Sequence, residues 1–266
     1  MNASTPQYHD TNTPDSEHHI PTEDSSESYR TKALKKRSLF LFPLSYFGFV
    51  LALGLVFGFV YTIAKLVSTG GDPTSSLEND FMSMTYLMLY LDTIGFIIAF
   101  LLFKSVRRFT LESMSFEPLK KGMTYVWILI GLGLILGAQF LVFSVLKLET
   151  PSNQNQLFGL TPENFTTLKF IAVFVVTAVL TPIKEEFLFR GFLLRFFEAK
   201  YAKAWLGLFI SSTVFGLMHL EYPLAGVTMG LVFGGLYLKT HSVMVPIVAH
   251  IIWNSYVCLV GLTYLL

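Results

Sequence analysis

Residues 39–64 run for 26 positions without one charged side chain, long enough to cross a ~30 Å hydrocarbon core as a helix. Further apolar stretches follow at residues 81–103, 122–146, 168–197, 204–220, 223–238 and 243–266, with short polar turns between them. A bilayer leaves no water for backbone N–H and C=O groups, so each stretch has to satisfy them internally and is expected to be helical. The pattern predicts an all-α polytopic membrane protein of about seven transmembrane helices. Residues 1–29 break this pattern. They are rich in Ser, Thr, Asp, Glu, Asn and Pro without apolar periodicity and read as a disordered tail, in which His9, His18 and His19 are solvent-exposed spacers.

Composition agrees. The chain is 53% apolar and 14% charged, against the ~45–50% and ~25% of a soluble domain, which excludes an ordinary water-soluble enzyme. A formal net charge of +1 excludes nucleic-acid binding through bulk positive charge. One cysteine, Cys258, excludes an internal disulfide framework and a zinc site built from several thiolates. The charges do carry topology. Arg30, Lys32, Lys35, Lys36 and Arg37 precede the first span, only Lys65 follows it, and Lys104, Arg107, Arg108, Lys120 and Lys121 occupy the next loop. This alternation predicts a multi-pass protein of the plasma membrane with a cytoplasmic N-terminus.

Two features of the last four stretches stand out. Gly226, Gly230 and Gly234 repeat every fourth residue, leaving a helix face on which a neighbour can pack closely. Polar residues also concentrate there. The first three stretches contain one ionisable residue, Asp92, expected to hydrogen-bond a neighbouring helix, with nothing nearby in sequence to make it part of a constellation. The last four and the turns joining them contain Lys184, Glu185, Glu186, Arg190, His219, Glu221 and His250, with Asn254. Ionisable groups within spans are costly and point to function. Glu186 and Arg190, at i and i+4, share a helix face with the acid N-terminal, the favourable order for an ion pair. Glu185 points about 100° away and is free to face a cavity. Phe215 lies one turn before His219 on the same face. His250 and Asn254 are again i and i+4, and two such groups on one face suit an oxyanion site. Each group alone also serves as interhelical glue; together they read as a polar, water-holding cavity.

These motifs, in this order, resemble the CAAX protease and bacteriocin-processing (Abi) family of intramembrane endopeptidases, related to the type II CAAX prenyl endopeptidase. Its patterns EExxxR, FxxxH and HxxxN appear as Glu185-Glu186 with Arg190, Phe215 with His219, and His250 with Asn254, and Pro182 and Gly191 flank the first motif as in the family. The resemblance covers about residues 165–258. It implies a membrane-associated peptide or protein substrate, with Glu185 the base that activates water and His219 helping to hold it. Glu186 and Arg190 would support Glu185, and His250 with Asn254 would stabilise the oxyanion. Members are often labelled metalloproteases; Glu185, His219 and His250 could supply a zinc set, but the preferred reading needs no metal. The organisation expected is a cytoplasmic tail with its basic patch over 1–37, a transmembrane scaffold over 38–160 and a catalytic transmembrane core over 161–266. The competing readings are a proton-coupled transporter and a catalytically idle immunity or scaffold protein.

Depth sets a condition on any shared site. At ~1.5 Å per residue, uniform spans would leave Glu185 and His219 roughly 13 Å apart along the normal of a ~30 Å core. They meet if the fourth helix slides outward or if the 219–223 corner is submerged, so the turn through Glu221 and Pro223 is expected not to reach outer water.

Overall fold

The computed structural model describes residues 29–69, 84–150, 160–162 and 165–263. The tail with its three histidines, the start of the second apolar stretch and the end of the seventh lie outside the described residues. Among the described residues there is no strand, and the chain is an all-α polytopic membrane protein. Helix α1 (Lys36–Ser68) is 33 residues long. It is followed by α2 (Thr85–Leu102), the short α3 (Lys104–Leu111) and α4 (Gly122–Val145), whose last turn, Phe140–Val145, is π-helical. The second half consists of α5 (Thr167–Tyr201), α6 (Ala204–Leu217), α7 (Pro223–Thr240) and α8 (Met244–Leu262).

Five of these, α1, α2, α4, α5 and α8, are long and apolar enough to cross a membrane. They wear apolar side chains outside, as contact with lipid requires: on α1 alone Phe40, Leu44, Leu51, Leu55, Phe59 and Val67 are largely exposed. The fifth and sixth apolar stretches behave differently. Helix α6 has 14 residues, about 21 Å at 1.5 Å each, too short for a ~30 Å core. With α7 it forms a close-packed hairpin, and α7 buries Gly226, Met229, Gly230, Phe233 and Gly234 inside the bundle.

The glycine repeat is what lets this hairpin close. A Cβ on Gly230 would lie 2.8 Å from the Cα of Ser212, and one on Gly226 would lie 2.8 Å from the Cα of Gly216. Both obstructions are backbone. Gly230→Ala is therefore expected to push α6 from α7 and destabilise the protein by about 1–3 kcal/mol, read as a lower thermal midpoint in detergent. Gly235→Ala, whose Cβ would meet nothing within 4 Å, is the matched control and should hold or raise the midpoint, because alanine is the better helix former.

Helix α5 is not uniform. Val175–Leu180 and Phe187–Leu194 are π-helical and flank the α-helical turn Thr181–Glu186. Pro182 has no N–H and its ring crowds the preceding turn; widening that turn at Val175–Leu180 accommodates the ring without ending the helix. In the second π segment, a Cβ on Gly191 would come within 2.5 Å of Thr110 Cγ2, so glycine lets α3 seat against α5. Beyond it, Arg195 lies 4.2 Å over the Phe109 ring and pairs with Glu112 at 3.2 Å; Glu112 also pairs with Arg30 at 3.1 Å.

Candidate active site

The α-helical turn Thr181–Glu186 leaves three consecutive charged residues of α5 pointing in three directions, about 100° apart. Lys184 is buried and pairs with Asp92 on α2. Glu185 faces a cavity of about 370 Å³. Glu186, fully buried, lies 2.7 Å from Arg190 Nη1, the i,i+4 pair expected from the spacing. Arg190 is also fully buried. Its Nη2 donates to the Gly230 carbonyl of α7 at 2.9 Å, and its guanidinium lies 4.8 Å from the Phe215 ring centre and 5.6 Å from that of Phe233. A buried guanidinium with a carboxylate, a carbonyl and aromatic faces around it has its charge compensated on most sides.

His250 of α8 reaches the same acids. Its Nδ1 is 2.9 Å from Glu186 Oε1 and its Nε2 is 3.9 Å from Glu185 Oε2. An ionised carboxylate only accepts, so Nδ1 carries the proton in the Glu186 bond; Nε2 then donates only as the imidazolium. The ring stacks on Phe233, centre to centre 4.5 Å. His219, just beyond α6, has its Nδ1 2.8 Å from the Phe215 carbonyl. A carbonyl also only accepts, so Nδ1–H donates and Nε2 keeps its lone pair. The FxxxH spacing thus fixes a tautomer as well as a face. Asn254 donates through Nδ2 to the Thr177 carbonyl at 2.8 Å, which leaves its second amide hydrogen for other use.

Glu185, His219, His250 and Asn254 line the one cavity, so the depth mismatch of uniform spans does not separate them. Helix α5, with 35 residues, is about 52 Å long and far exceeds the core, which leaves room for it to slide. The turn after His219 is held from the side: both Glu149 oxygens accept from the free backbone amides opening α7, Leu224 N at 2.5 Å and Ala225 N at 3.1 Å, as helix N-termini favour.

The structure adds residues that the motifs did not indicate. Leu89 of α2 and Gln139 and Phe143 of α4 line the cavity, so its wall includes the N-terminal half. No local pattern marks them. Thr177 and Thr181 also line it, and their i, i+4 spacing to Glu185 along α5 was a readable sign of one face. Cys258 lies on the cavity wall with its Sγ 3.2 Å from Thr177 Oγ1. Asp92 accepts from Tyr46 of α1 and Lys184 of α5, the hydrogen bonding to neighbouring helices expected of it. Among the described residues, no three His, Cys, Asp or Glu side chains converge as a metal ligand set. They are not gathered as a zinc site in this arrangement, and no step below is routed through one.

The bundle thus gathers carboxylates, imidazoles and an amide around one cavity. Residues 167–256, which hold all three motifs, match the family described as type II CAAX prenyl endopeptidase Rce1-like, and this bears out the resemblance drawn from the motifs. The chain is similar to the Bacillus subtilis (strain 168) protein named "Putative membrane peptidase YdiL", 28% identical over 234 residues, 81% of this chain and 84% of the relative. It is also similar to an Escherichia coli protein named "Uncharacterized 24.3 kDa protein", 26% identical over 130 residues, 47% of this chain and 58% of the relative. No solved structure matches the chain.

Proposed function

We propose that the chain is an intramembrane endopeptidase that cleaves a membrane-associated peptide or protein with water activated by Glu185. The observation that carries this reading is that one cavity receives Glu185, His219, His250 and Asn254 from different parts of the bundle. A water between the Glu185 carboxylate and His219 Nε2 would donate one O–H to each acceptor, turning its lone pair toward a peptide carbonyl. As the water attacks, Glu185 takes its proton and later delivers it to the leaving amine. Negative charge grows on the carbonyl oxygen, where the free Asn254 amide hydrogen and Nε2–H of the His250 imidazolium would stabilise it. Glu186 and Arg190 act behind these groups: Glu186 orients His250, and Arg190 holds Glu186. The protein would sit in the plasma membrane with its N-terminus in the cytoplasm, because Arg30, Lys32, Lys35, Lys36 and Arg37 precede the first span and only Lys65 follows it.

The test is cleavage of a co-expressed peptide precursor, scored together with membrane abundance. His219→Ala is expected to keep abundance and to lower cleavage by roughly 10²-fold, the scale of one acid–base participant. Chelation should leave wild-type cleavage intact. Loss on chelation with recovery in zinc would overturn the metal-free route, and full activity of His219→Ala would remove that residue from it.

A further inference from the structure

The half of the chain that reads as scaffold contributes a charged device aimed at the catalytic helix. Lys184 stands directly before Glu185, and its side chain is 7% exposed. Its ammonium donates to one oxygen of Asp92, and the hydroxyl of Tyr46 donates to the other. Tyr46 on α1 is 1% exposed. Both carboxylate oxygens of Asp92 are therefore engaged, one from each flanking helix. The α1–α2 crossing is tight at the same level. A Cβ on Gly95, one turn beyond Asp92, would meet Val50 Cγ2 at 2.8 Å and Val50 N at 3.1 Å, and Val50 is one turn beyond Tyr46. Tyr46 also packs edge-on against Phe96 at 5.7 Å. Asp92 is thus mounted on a rigid two-helix base, not on a mobile arm.

Successive residues of an α-helix are about 100° apart. With Lys184 tied to α2 on one side and Glu186 tied to Arg190 and His250 on the other, the residue between them has one direction left, and Glu185 occupies it. One tie alone would leave α5 free to roll, and its flanking π turns already depart from regular hydrogen bonding. A small roll would carry the Glu185 carboxylate away from His219, and at a reacting centre a displacement of about 1 Å costs roughly 10²-fold in rate.

We propose that Tyr46, Asp92 and Lys184 form a positioning clamp that fixes the rotation of α5 and thereby aims Glu185 into the cavity. The proposal rests on the peptidase reading of that cavity. Asp92 and Lys184 are positioning residues; they do not touch substrate.

The clamp is separable from a merely structural ion pair. Replacing a buried pair with apolar residues of similar size is often neutral for stability, so Asp92→Leu with Lys184→Met should keep the protein folded while removing the directional tie. Two readouts apply to the full chain in lipid vesicles. The first is cleavage of an internally quenched peptide selected by wild-type activity. The second is the modification rate of Cys258, the single cysteine and a wall residue in contact with Thr177 of α5, by a methanethiosulfonate reagent. The double variant is expected to keep wild-type abundance and KM, to lose roughly 10²-fold in kcat, and to change its Cys258 rate several-fold. Exchanging the charges, Asp92→Lys with Lys184→Asp, should restore most of both. A double variant that keeps kcat and Cys258 rate within about twofold of wild type overturns the clamp, and so does a charge exchange that recovers neither. Glu185→Gln separates the two ideas. If it cleaves like wild type, the peptidase reading falls, while the Cys258 rates still decide the clamp.

Discussion

Glu185→Gln is expected to remove cleavage, by roughly 10³-fold or more, while the protein accumulates in the membrane at its normal level. The separation follows from how Glu185 is held. Its charged neighbours on α5 are bound elsewhere, Lys184 to Asp92 and Arg190 to Glu186. The nearest imidazole nitrogen to its carboxylate is 3.9 Å away, beyond hydrogen-bond reach. The side chain therefore contributes little to the packing that its amide would fail to contribute. What glutamine cannot do is take a proton from water. The measurement is precursor cleavage normalised to abundance, and unchanged cleavage in this variant would end the mechanism proposed for the cavity.

Arg190→Ala should produce the opposite signature, with loss of the protein itself. Removing one partner of a buried pair leaves the other charge uncompensated, at a cost of about 3–5 kcal/mol. Here the stranded group is Glu186, fully buried and left with His250 alone. The same substitution frees the Gly230 carbonyl at a close approach of α6 and α7, and it empties the space against Phe215 and Phe233. Since whole domains are stable by only ~5–15 kcal/mol, the variant is expected to fall sharply in abundance and thermal midpoint. Arg190→Lys should lie between, because an ammonium keeps the charge but lacks the planar fork that reaches Glu186 and Gly230 together. A wild-type midpoint for Arg190→Ala would mean that this pair does not tie α5 to α7.

These expectations differ in how much of them could be read along the chain. The Glu186–Arg190 pair is one helical turn long, so its spacing alone announced it. The same holds for Phe215 and His219, although the sequence offered only a shared face; that the Phe215 carbonyl fixes the imidazole tautomer needed coordinates. The close approach of α6 and α7 was legible in Gly226, Gly230 and Gly234, because missing side chains at a four-residue repeat are a local fact. Asp92 was legible as a carboxylate bonded to a neighbouring helix, but the residues that bond it were not. Its partners lie 46 residues earlier and 92 residues later in the chain, and nothing in local spacing links them. Gln139 and Phe143 were equally silent: each reads as one more residue of an apolar stretch until α4 is set against α7.

The sequence by itself determined that the chain is helical, polytopic and equipped with an acid–imidazole set. Backbone groups in lipid must pair within their own segment, and charges survive there only where something compensates them, so both properties are written into runs and spacings of a few residues. Tertiary structure alone decided that Lys184 is tied to Asp92 of α2 and that His250 of α8 meets Glu186. Hydrogen bonds and ion pairs act over about 3 Å, so the roles of Lys184, Glu185 and Glu186 depend on side chains brought from α2 and α8.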